Sequence, residues 1–283
     1  MGKDSSIEWT HHTFNPWWGC TKVSPGCEHC YAETWARRVG ENIWGARQDR
    51  RFFGDKHWSD PLKWNAAAES EGQRKRVFCA SMSDVFEARS DLDPWRNRLW
   101  KLIDQTPLLD WLLLTKRPQN VGGKIPWGKQ WPKNVWIGTS VEDQQRADER
   151  LPILLELPAT YRFLSCEPLL GPIDLSKWTS QRPKHLYRID WVIAGGESGP
   201  NARAMLPGWA RKLRDQCQQS GIPFHFKQWG HWAPVPAPKR ENSFVHKFWD
   251  EVTGAEIFMA AKGKKIAGRR LDGMTWDELP ATI

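Results

Sequence analysis

The 283-residue sequence predicts an α/β fold: a complete or partial (β/α) barrel with six to seven parallel strands. Short apolar runs alternate with helical segments, and continuous apolar runs are typical of strands buried on both faces of a parallel sheet. The alternation alone also fits a doubly wound sheet. The spacing of roughly 25 to 30 residues between successive strands favours the barrel.

The individual elements are predicted from apolar runs and from helix-ending residues. Strands are expected at Val77–Ala80, Trp111–Thr115, Val135–Gly138, Arg162–Ser165, Trp191–Ala194 and Pro223–Lys227, with a further strand around Phe14–Trp18. Helices are expected at Cys30–Val39, Pro94–Gln105, Glu142–Leu157 and Pro207–Ser220, the last ending before Gly221. The alternation of apolar strands and helices ends after about Trp229. Residues 1–229 are therefore predicted to form the barrel, and residues 230–283 an irregular C-terminal extension packed on it.

The composition indicates a globular protein with a polyanionic partner. The net charge is +8, which favours a nucleic acid partner over the alternative of a merely basic enzyme. Twenty tryptophans are present, and packing under long loops is expected for most of them, although tryptophan also stacks on bases. No run of about 18 apolar residues predicts a membrane span. The polar N-terminus predicts a cytoplasmic protein.

Polar residues directly follow six of the predicted strands. These clusters are Ser81–Asp84, Thr115–Arg117, Thr139–Asp143, Ser165–Pro168, Gly195–Gly199 and Lys227–Gln228. Barrel enzymes place their active sites at the carboxyl ends of the strands. The repetition of the pattern predicts one composite site built from all six clusters.

Three of the six cysteines lie within eleven residues near the N-terminus. Cys20, Cys27 and Cys30 have the spacing C-x6-C-x2-C, which is unlike a disulfide framework. A structural zinc site needs a fourth ligand, which His29, His11, His12 or a distant cysteine would have to supply. A [4Fe-4S] cluster with one open iron needs only three thiolates. The open iron can chelate S-adenosylmethionine (SAM), and reduction then yields a 5′-deoxyadenosyl radical that abstracts hydrogen from a substrate.

The residues around these cysteines resemble the cluster loop of the radical SAM superfamily, in its spore photoproduct lyase-like branch. The similarity lies in Asn15-Pro-Trp-Trp-Gly-Cys20, followed by Cys27-Glu-His-Cys30-Tyr31, and it extends over roughly residues 13 to 228. The nearest resemblance is to uncharacterised, phage-associated proteins with this three-cysteine loop. It implies a partial barrel of the radical SAM type, a [4Fe-4S] cluster, SAM and an external electron donor. It also implies that Tyr31 lies near the SAM adenine.

Two features depart from the usual radical SAM pattern. Three extra residues lie between the first two cysteines, and a turn at Pro25-Gly26 is expected to restore the loop geometry. A Gly-Gly-Glu sequence at Gly195–Glu197 follows the sixth strand rather than the second. Glu197 is therefore predicted to contact substrate or a ribose instead of the SAM amino group.

The remaining roles follow from the positions at strand ends. Ser81, Ser83 and Asp84 are predicted to contact the SAM amino group or ribose, and Ser140 and Glu142 the ribose hydroxyls. Lys116 and Arg117 are predicted to bind the SAM carboxylate or a substrate phosphate; the alternative is a salt bridge with Asp84 or Glu142. Glu167 is expected to orient substrate, and Lys227 to close the far side of the site.

Cys166 also lies at a strand end, beside Glu167. Its thiol is predicted to donate a hydrogen atom to a product radical, whereas the alternative is a small buried apolar side chain.

The predicted activity is radical SAM chemistry on a nucleobase or nucleotide, such as a modified pyrimidine in phage or bacterial DNA. A base in duplex DNA would have to be flipped out of the helix. The first alternative keeps the radical chemistry but acts on a small molecule or a peptide. The second is a zinc-containing nucleic-acid-binding protein without catalysis.

Overall fold

The computed structural model describes residues 2, 4–181, 183, 186–238 and 244–281. Over this part of the chain the strands are β1 (His12–Thr13), β2 (Trp17–Trp18), β3 (Arg51–Phe52), β4 (Lys75–Cys79), β5 (Leu109–Thr115), β6 (Val135–Ser140), β7 (Tyr161–Cys166), β8 (Trp191–Gly195), β9 (Phe224–Gln228), β10 (Trp232–Val235), β11 (Val245–Asp250) and β12 (Ala255–Ala261). The α-helices are α1 (Tyr31–Arg38), α2 (Asp55–Glu71), α3 (Asp93–Asp104), α4 (Gln144–Leu154), α5 (Pro207–Gln219) and α6 (Lys264–Ala267).

Seven parallel strands form the main sheet, in the order β1-β4-β5-β6-β7-β8-β9. Within this sheet each strand pairs with the strand of the same sheet that follows it in sequence, as in a (β/α) barrel, and β1 and β9 are the two edges. The predicted α/β class and the strand order of a partial barrel are confirmed. Parallel pairing brings the carboxyl ends of neighbouring strands to one edge of the sheet, which is where the polar clusters lie.

The first predicted strand differs from the observed structure. Phe14–Trp18 is not one strand: β1 ends at Thr13, and β2 pairs antiparallel with β3 instead, with Trp17 opposite Phe52. Pro16 lies between them and has no backbone N–H to donate to a sheet ladder. The break releases the chain from the sheet just before the cysteine loop.

Two regions contain more structure than the sequence predicted. The helix α2 runs over 17 residues and ends at Gly72, which has the left-handed conformation common at helix ends. Beyond Trp229, β10, β12 and β11 form a three-stranded antiparallel sheet where only loops and short elements were expected. The predicted domain boundary at residue 229 stays a prediction.

Backbone contacts divide the chain into two compact units. Unit 1 comprises Met1–Thr139 and Pro152–Phe163, and unit 2 comprises Ser140–Leu151 and Leu164–Ile283. Aromatic side chains fill the core of unit 1, where the ring of Phe14 lies edge-on to Trp111 at 5.6 Å. In unit 2 the ring of Phe226 lies edge-on to Trp229 at 5.1 Å, and Trp191 is fully buried. Most of the tryptophans described are buried, as expected for packing.

Candidate functional site

The cysteine loop begins after β2, which pairs with β3 outside the main sheet, and it ends where α1 begins. The Gly19 amide donates to Met82 O at 3.0 Å, and Cys20 O accepts from the Gly45 amide at 2.9 Å. Gly19 has φ +108°, and a Cβ there would lie 2.5 Å from Ile43 O. Only glycine fits this close approach. The loop before Cys20 is therefore fixed by backbone contacts on both sides.

A buried ion pair lies against the first cysteine. Arg117 Nη1 donates to Asp84 Oδ2 at 2.7 Å and lies 3.7 Å from Cys20 Sγ, while its Nη2 donates to Thr21 O at 2.5 Å. The side chains of Arg117 and Asp84 are 7% and 8% exposed, so solvent screens this pair very little. The sequence left a salt bridge with Asp84 as the alternative to a SAM- or phosphate-binding role for Arg117, and this salt bridge is present. The same guanidinium also contacts the sulfur of Cys20.

Asp84 connects the ends of two neighbouring strands. Its Oδ1 accepts from the Phe86 amide at 3.0 Å and from Thr115 Oγ1 at 2.8 Å. Its Oδ2 accepts from the Lys116 amide at 3.1 Å as well as from Arg117. A carboxylate accepts about four hydrogen bonds, and these four fill its capacity. The predicted SAM contact by Asp84 stays a prediction, but its bonds are those of a residue that holds Arg117 in place.

The pKa values of the thiols reflect burial opposed by nearby positive groups. The pKa of Cys20 is raised to about 12, first by burial and then by the Asp84 carboxylate, against the opposing effect of the Arg117 cation. Burial also raises the pKa of Cys30, whereas the backbone amides of Glu33 and Ala32 at the start of α1 and the Lys116 cation lower it. A helix N-terminus and a cation both favour the thiolate form. Cys27 Sγ lies 3.8 Å from Ser24 Oγ.

Asn15 ties the cysteine loop to the residues after β4. Its Oδ1 accepts from the Met82 amide at 2.7 Å, and its Nδ2 donates to Ser81 Oγ at 3.1 Å. Tyr31 Oη donates to Ser81 O at 2.8 Å, so the ring at the start of α1 is held against the same segment. Ser83 Oγ is buried and has no hydrogen-bond partner among the described residues. An unpaired buried hydroxyl costs about 1–3 kcal/mol, which a polar ligand at this position would recover.

A second buried ion pair, between Arg50 and Glu87, contacts the cysteine loop at Thr21. The sequence did not predict this pair. Arg50 donates to both carboxylate oxygens of Glu87, from Nη2 at 2.7 Å and from Nε at 3.1 Å. Its Nη1 donates to the carbonyl oxygens of Ile43, Gly45 and Gln48. Thr21 Oγ1 donates to Glu87 Oε1 at 2.6 Å. Arg50 stands beside Arg51 in the charged stretch Arg47–Arg51, and nothing in the local sequence marks it as buried.

Within unit 2, an ion pair joins the carboxyl ends of β7 and β9. Lys227 Nζ lies 2.9 Å and 2.8 Å from the two carboxylate oxygens of Glu167, and Gln228 Nε2 donates to Oε1 at 3.1 Å. Both charged side chains remain partly exposed, at 12% and 19%. These two residues were predicted independently as site residues, and the structure places them in contact.

The other predicted residues of unit 2 are buried or already paired. Arg150 Nη1 donates to Glu142 Oε2 at 2.9 Å and to Ser140 O at 2.8 Å. Glu197 accepts from the Arg203 guanidinium through both of its oxygens. Cys166 is fully buried, and that burial raises the pKa of its thiol well above the usual value. It is therefore a neutral thiol at neutral pH, which fits both a hydrogen-atom donor and a packed side chain.

The predicted residues thus form two groups. In unit 1 the described interactions link Arg117 to Cys20 and Asp84, Cys30 to Cys27 and Lys116, and Tyr31 to Ser81, while Ser83 lies between Ser81 and Asp84. In unit 2 the described contacts join Glu167 to Lys227, and the charge of Glu142 raises the pKa of the Cys166 thiol in addition to burial. Among the described residues, no three His, Cys, Asp or Glu side chains are grouped so as to hold a single metal ion. None of the described helices is both long and apolar enough to cross a membrane.

Solved structures of spore photoproduct lyase are similar to this chain at low sequence identity. Spore photoproduct lyase complexed with dinucleoside spore photoproduct aligns with a TM-score of 0.47 and 12% identity, covering 92% of this chain and 71% of that one. A cysteine-to-serine mutant of the lyase gives 0.46 and 14% identity, with 93% and 72% covered. A double mutant with bound AdoMet and dinucleoside spore photoproduct gives 0.43 and 12% identity, with 92% and 73% covered.

The family comparison covers nearly the whole chain. A search among curated proteins finds no significant match. The family described as "Protein of unknown function (DUF5131)" matches residues 4–280, which is nearly the whole sequence. The chain therefore belongs to the DUF5131 family.

Proposed function

We propose that this protein is a radical SAM enzyme that holds a [4Fe-4S] cluster through Cys20, Cys27 and Cys30. The observation that carries the proposal is the position of Cys20, the first of three cysteines in one loop, where Arg117 Nη1 from the carboxyl end of β5 lies 3.7 Å from its Sγ. Three cysteines suit a cluster that keeps one iron open for a ligand.

The surroundings of the thiols fit such a cluster. Three thiolates carry a negative charge that must be stabilised. The residues after β5 supply the Arg117 cation at Cys20 and the Lys116 cation near Cys30, and the start of α1 supplies two backbone amides at Cys30. When bound, the cluster supplies the electron that cleaves SAM and so allows hydrogen to be abstracted from substrate. An external protein or chemical reductant is needed to deliver that electron.

The chain's own residues would bind and orient the reactants. Ser83 Oγ, buried without a partner among the described residues, is the clearest open contact for a polar group of SAM. Ser81 lies on the same segment, and the half-exposed ring of Tyr31, held against it by a hydrogen bond to Ser81 O, suits an adenine. Lys116 remains a candidate for the SAM carboxylate. Asp84 positions Arg117 and so acts through it.

The residues of unit 2 are proposed to handle substrate. Glu167 and Lys227 form an ion pair that can open to a polar substrate group, and Cys166 keeps the hydrogen that a thiol donor requires. Ser140 and Glu142 remain candidates for ribose contacts, and Glu197 for a substrate contact. The proposed substrate is a nucleobase or nucleotide in DNA, supported by the net charge of +8. An association with phages stays a prediction.

Metal analysis after anaerobic purification tests the cluster. The protein should be brown and contain about four irons and four sulfides per chain. Alanine replacements at Cys20, Cys27 and Cys30 should each remove most of the iron. The matched control is Cys217→Ala, because Cys217 is buried in α5 within unit 2 and outside the cysteine loop. A colourless protein with one zinc per chain would refute the proposal in favour of a structural metal site.

A further inference from the structure

The segment after β12 carries an exposed group of cations, residues 262–270, here called the basic segment. Lys262, Lys264, Lys265 and Arg270 are all exposed. None of these four forms an ion pair with any residue that the structure describes. The nearby acids are already used, since Asp277 pairs with Arg269 within the same region and Asp272 pairs with two arginines of α5. The four charges are therefore uncompensated.

Two other basic runs, Arg47–Arg51 and Lys184–Arg188, offer fewer unpaired cations over the residues that the structure describes. In the run from Arg47 to Arg51, Arg50 is buried and Arg51 pairs with Glu41 at 2.9 Å. In the run from Lys184 to Arg188, Arg188 pairs with Asp190 at 2.8 Å, and Lys184 lies outside the described residues.

Backbone bonds fasten the basic segment to the loop that follows β9. His231 O accepts from the amides of Lys262 and Gly263 at 2.9 Å and 3.0 Å. The Trp229 amide donates to Gly268 O at 3.0 Å, and its indole Nε1 donates to Arg270 O at 2.9 Å. Trp229 is only 4% exposed, so the segment is held by a buried anchor. The cations therefore lie on a backbone segment that is hydrogen-bonded to the residues after β9, the strand that carries Lys227.

We propose that the basic segment is a docking surface for the phosphate backbone of a nucleic acid. Four unpaired cations within nine residues form the pattern that neutralises consecutive phosphates. Ile266, 76% exposed among them, offers an apolar contact for a sugar or base. Contacts of this kind position a polyanion without reading its sequence. A role of the basic segment in docking the substrate rests on the proposed function. Its binding of nucleic acid can be tested independently of that function.

The test measures the salt dependence of DNA binding by the full-length protein. Fluorescein-labelled duplex and single-stranded 30-mers are titrated by anisotropy between about 50 and 200 mM NaCl, the range over which phosphate contacts weaken most visibly. The variant carries Lys262→Gln, Lys264→Gln, Lys265→Gln and Arg270→Gln. A matched control removes the same charge from four exposed lysines of unit 1 without a described ion pair, by Lys56→Gln, Lys101→Gln, Lys129→Gln and Lys133→Gln.

The basic-segment variant should bind at least about tenfold more weakly at 100 mM salt. Its slope of log K against log salt should fall by about 0.9 for each duplex phosphate that the substitutions leave without a cation. The control should bind within about twofold of the unaltered protein. Equal weakening in both variants would overturn the proposal, since net charge alone would then explain binding. Binding to phosphatidylserine vesicles but not to DNA would also overturn it. Iron content, measured in parallel, separates failure of the docking surface from failure of the proposed function.

Discussion

Replacing Arg117 by glutamine is predicted to lower the reduction potential of the bound cluster. The guanidinium Nη1 lies 3.7 Å from Cys20 Sγ within a buried pair, and glutamine removes both the charge and this hydrogen bond. Reduction adds negative charge to the cluster, so removing a neighbouring cation makes the reduced form less stable. The potential must therefore become more negative.

The size of the shift follows from the distance. At an effective dielectric constant of about 20, unit charges at this separation interact by about 4 kcal/mol. The added electron is shared over the whole cluster, so roughly a quarter of that energy, about 1 kcal/mol, applies near Cys20. For a one-electron couple this corresponds to a shift of about 45 mV.

The assay is a potentiometric titration of the anaerobic protein followed by electron paramagnetic resonance. The matched control is Arg74→Gln, because Arg74 also pairs with a buried carboxylate, Asp110, at 2.7 Å, but at the start of β4 and β5 rather than at their ends. The control should keep the unaltered potential. A potential that is unchanged or higher in Arg117→Gln, with normal iron content, would refute the proposed contact between this cation and the cluster.

Three further predictions concern stability, measured as thermal unfolding. Arg50→Met should destabilise by about 3–5 kcal/mol, because it leaves a buried carboxylate unpaired, whereas Arg51→Met, at an exposed ion pair, should cost less than about 1 kcal/mol; equal effects would contradict a stabilising role for the buried pair. Gly196→Ala should cost at least about 2 kcal/mol, since its Cβ would lie 2.0 Å from a backbone oxygen, while Gly122→Ala has open space and should be nearly neutral. The pKa of His11 is lowered from 6.5 to about 4, first by burial and then by nearby cations. The unfolded chain therefore binds the extra proton, stability should fall as the pH drops from 6.5 towards 4, and His11→Gln should flatten that dependence; an unchanged pH profile would contradict it.

The strands were predictable because their signal is local and repeated. Six buried runs lie where the apolar patterns placed them, and the polar clusters follow them. The early strand was misjudged because aromatic residues around Pro16 mimic a strand that proline interrupts. The C-terminal sheet was missed because its strands are mostly exposed or half-buried, with one buried residue in β11 and two in β12, and so they lack the continuous buried run that marks the main sheet.

The sequence predicted a set of residues for the site, but not the hydrogen bonds and ion pairs between them. The cysteine spacing and the strand-end clusters identify Cys20, Asp84 and Arg117 individually. That the guanidinium contacts the sulfur depends on β4 and β5 lying side by side, which the sequence does not state. The buried pair of Arg50 and Glu87 depends in the same way on contacts between residues 37 positions apart.

Radical SAM chemistry in this protein is tested by reducing it anaerobically in the presence of SAM and measuring 5′-deoxyadenosine. The unaltered protein and Cys217→Ala should both form 5′-deoxyadenosine, and Cys20→Ala should abolish it. Iron-loaded protein that takes up an electron but yields no 5′-deoxyadenosine, or a yield unaffected by Cys20→Ala, would contradict radical SAM chemistry at this cysteine loop.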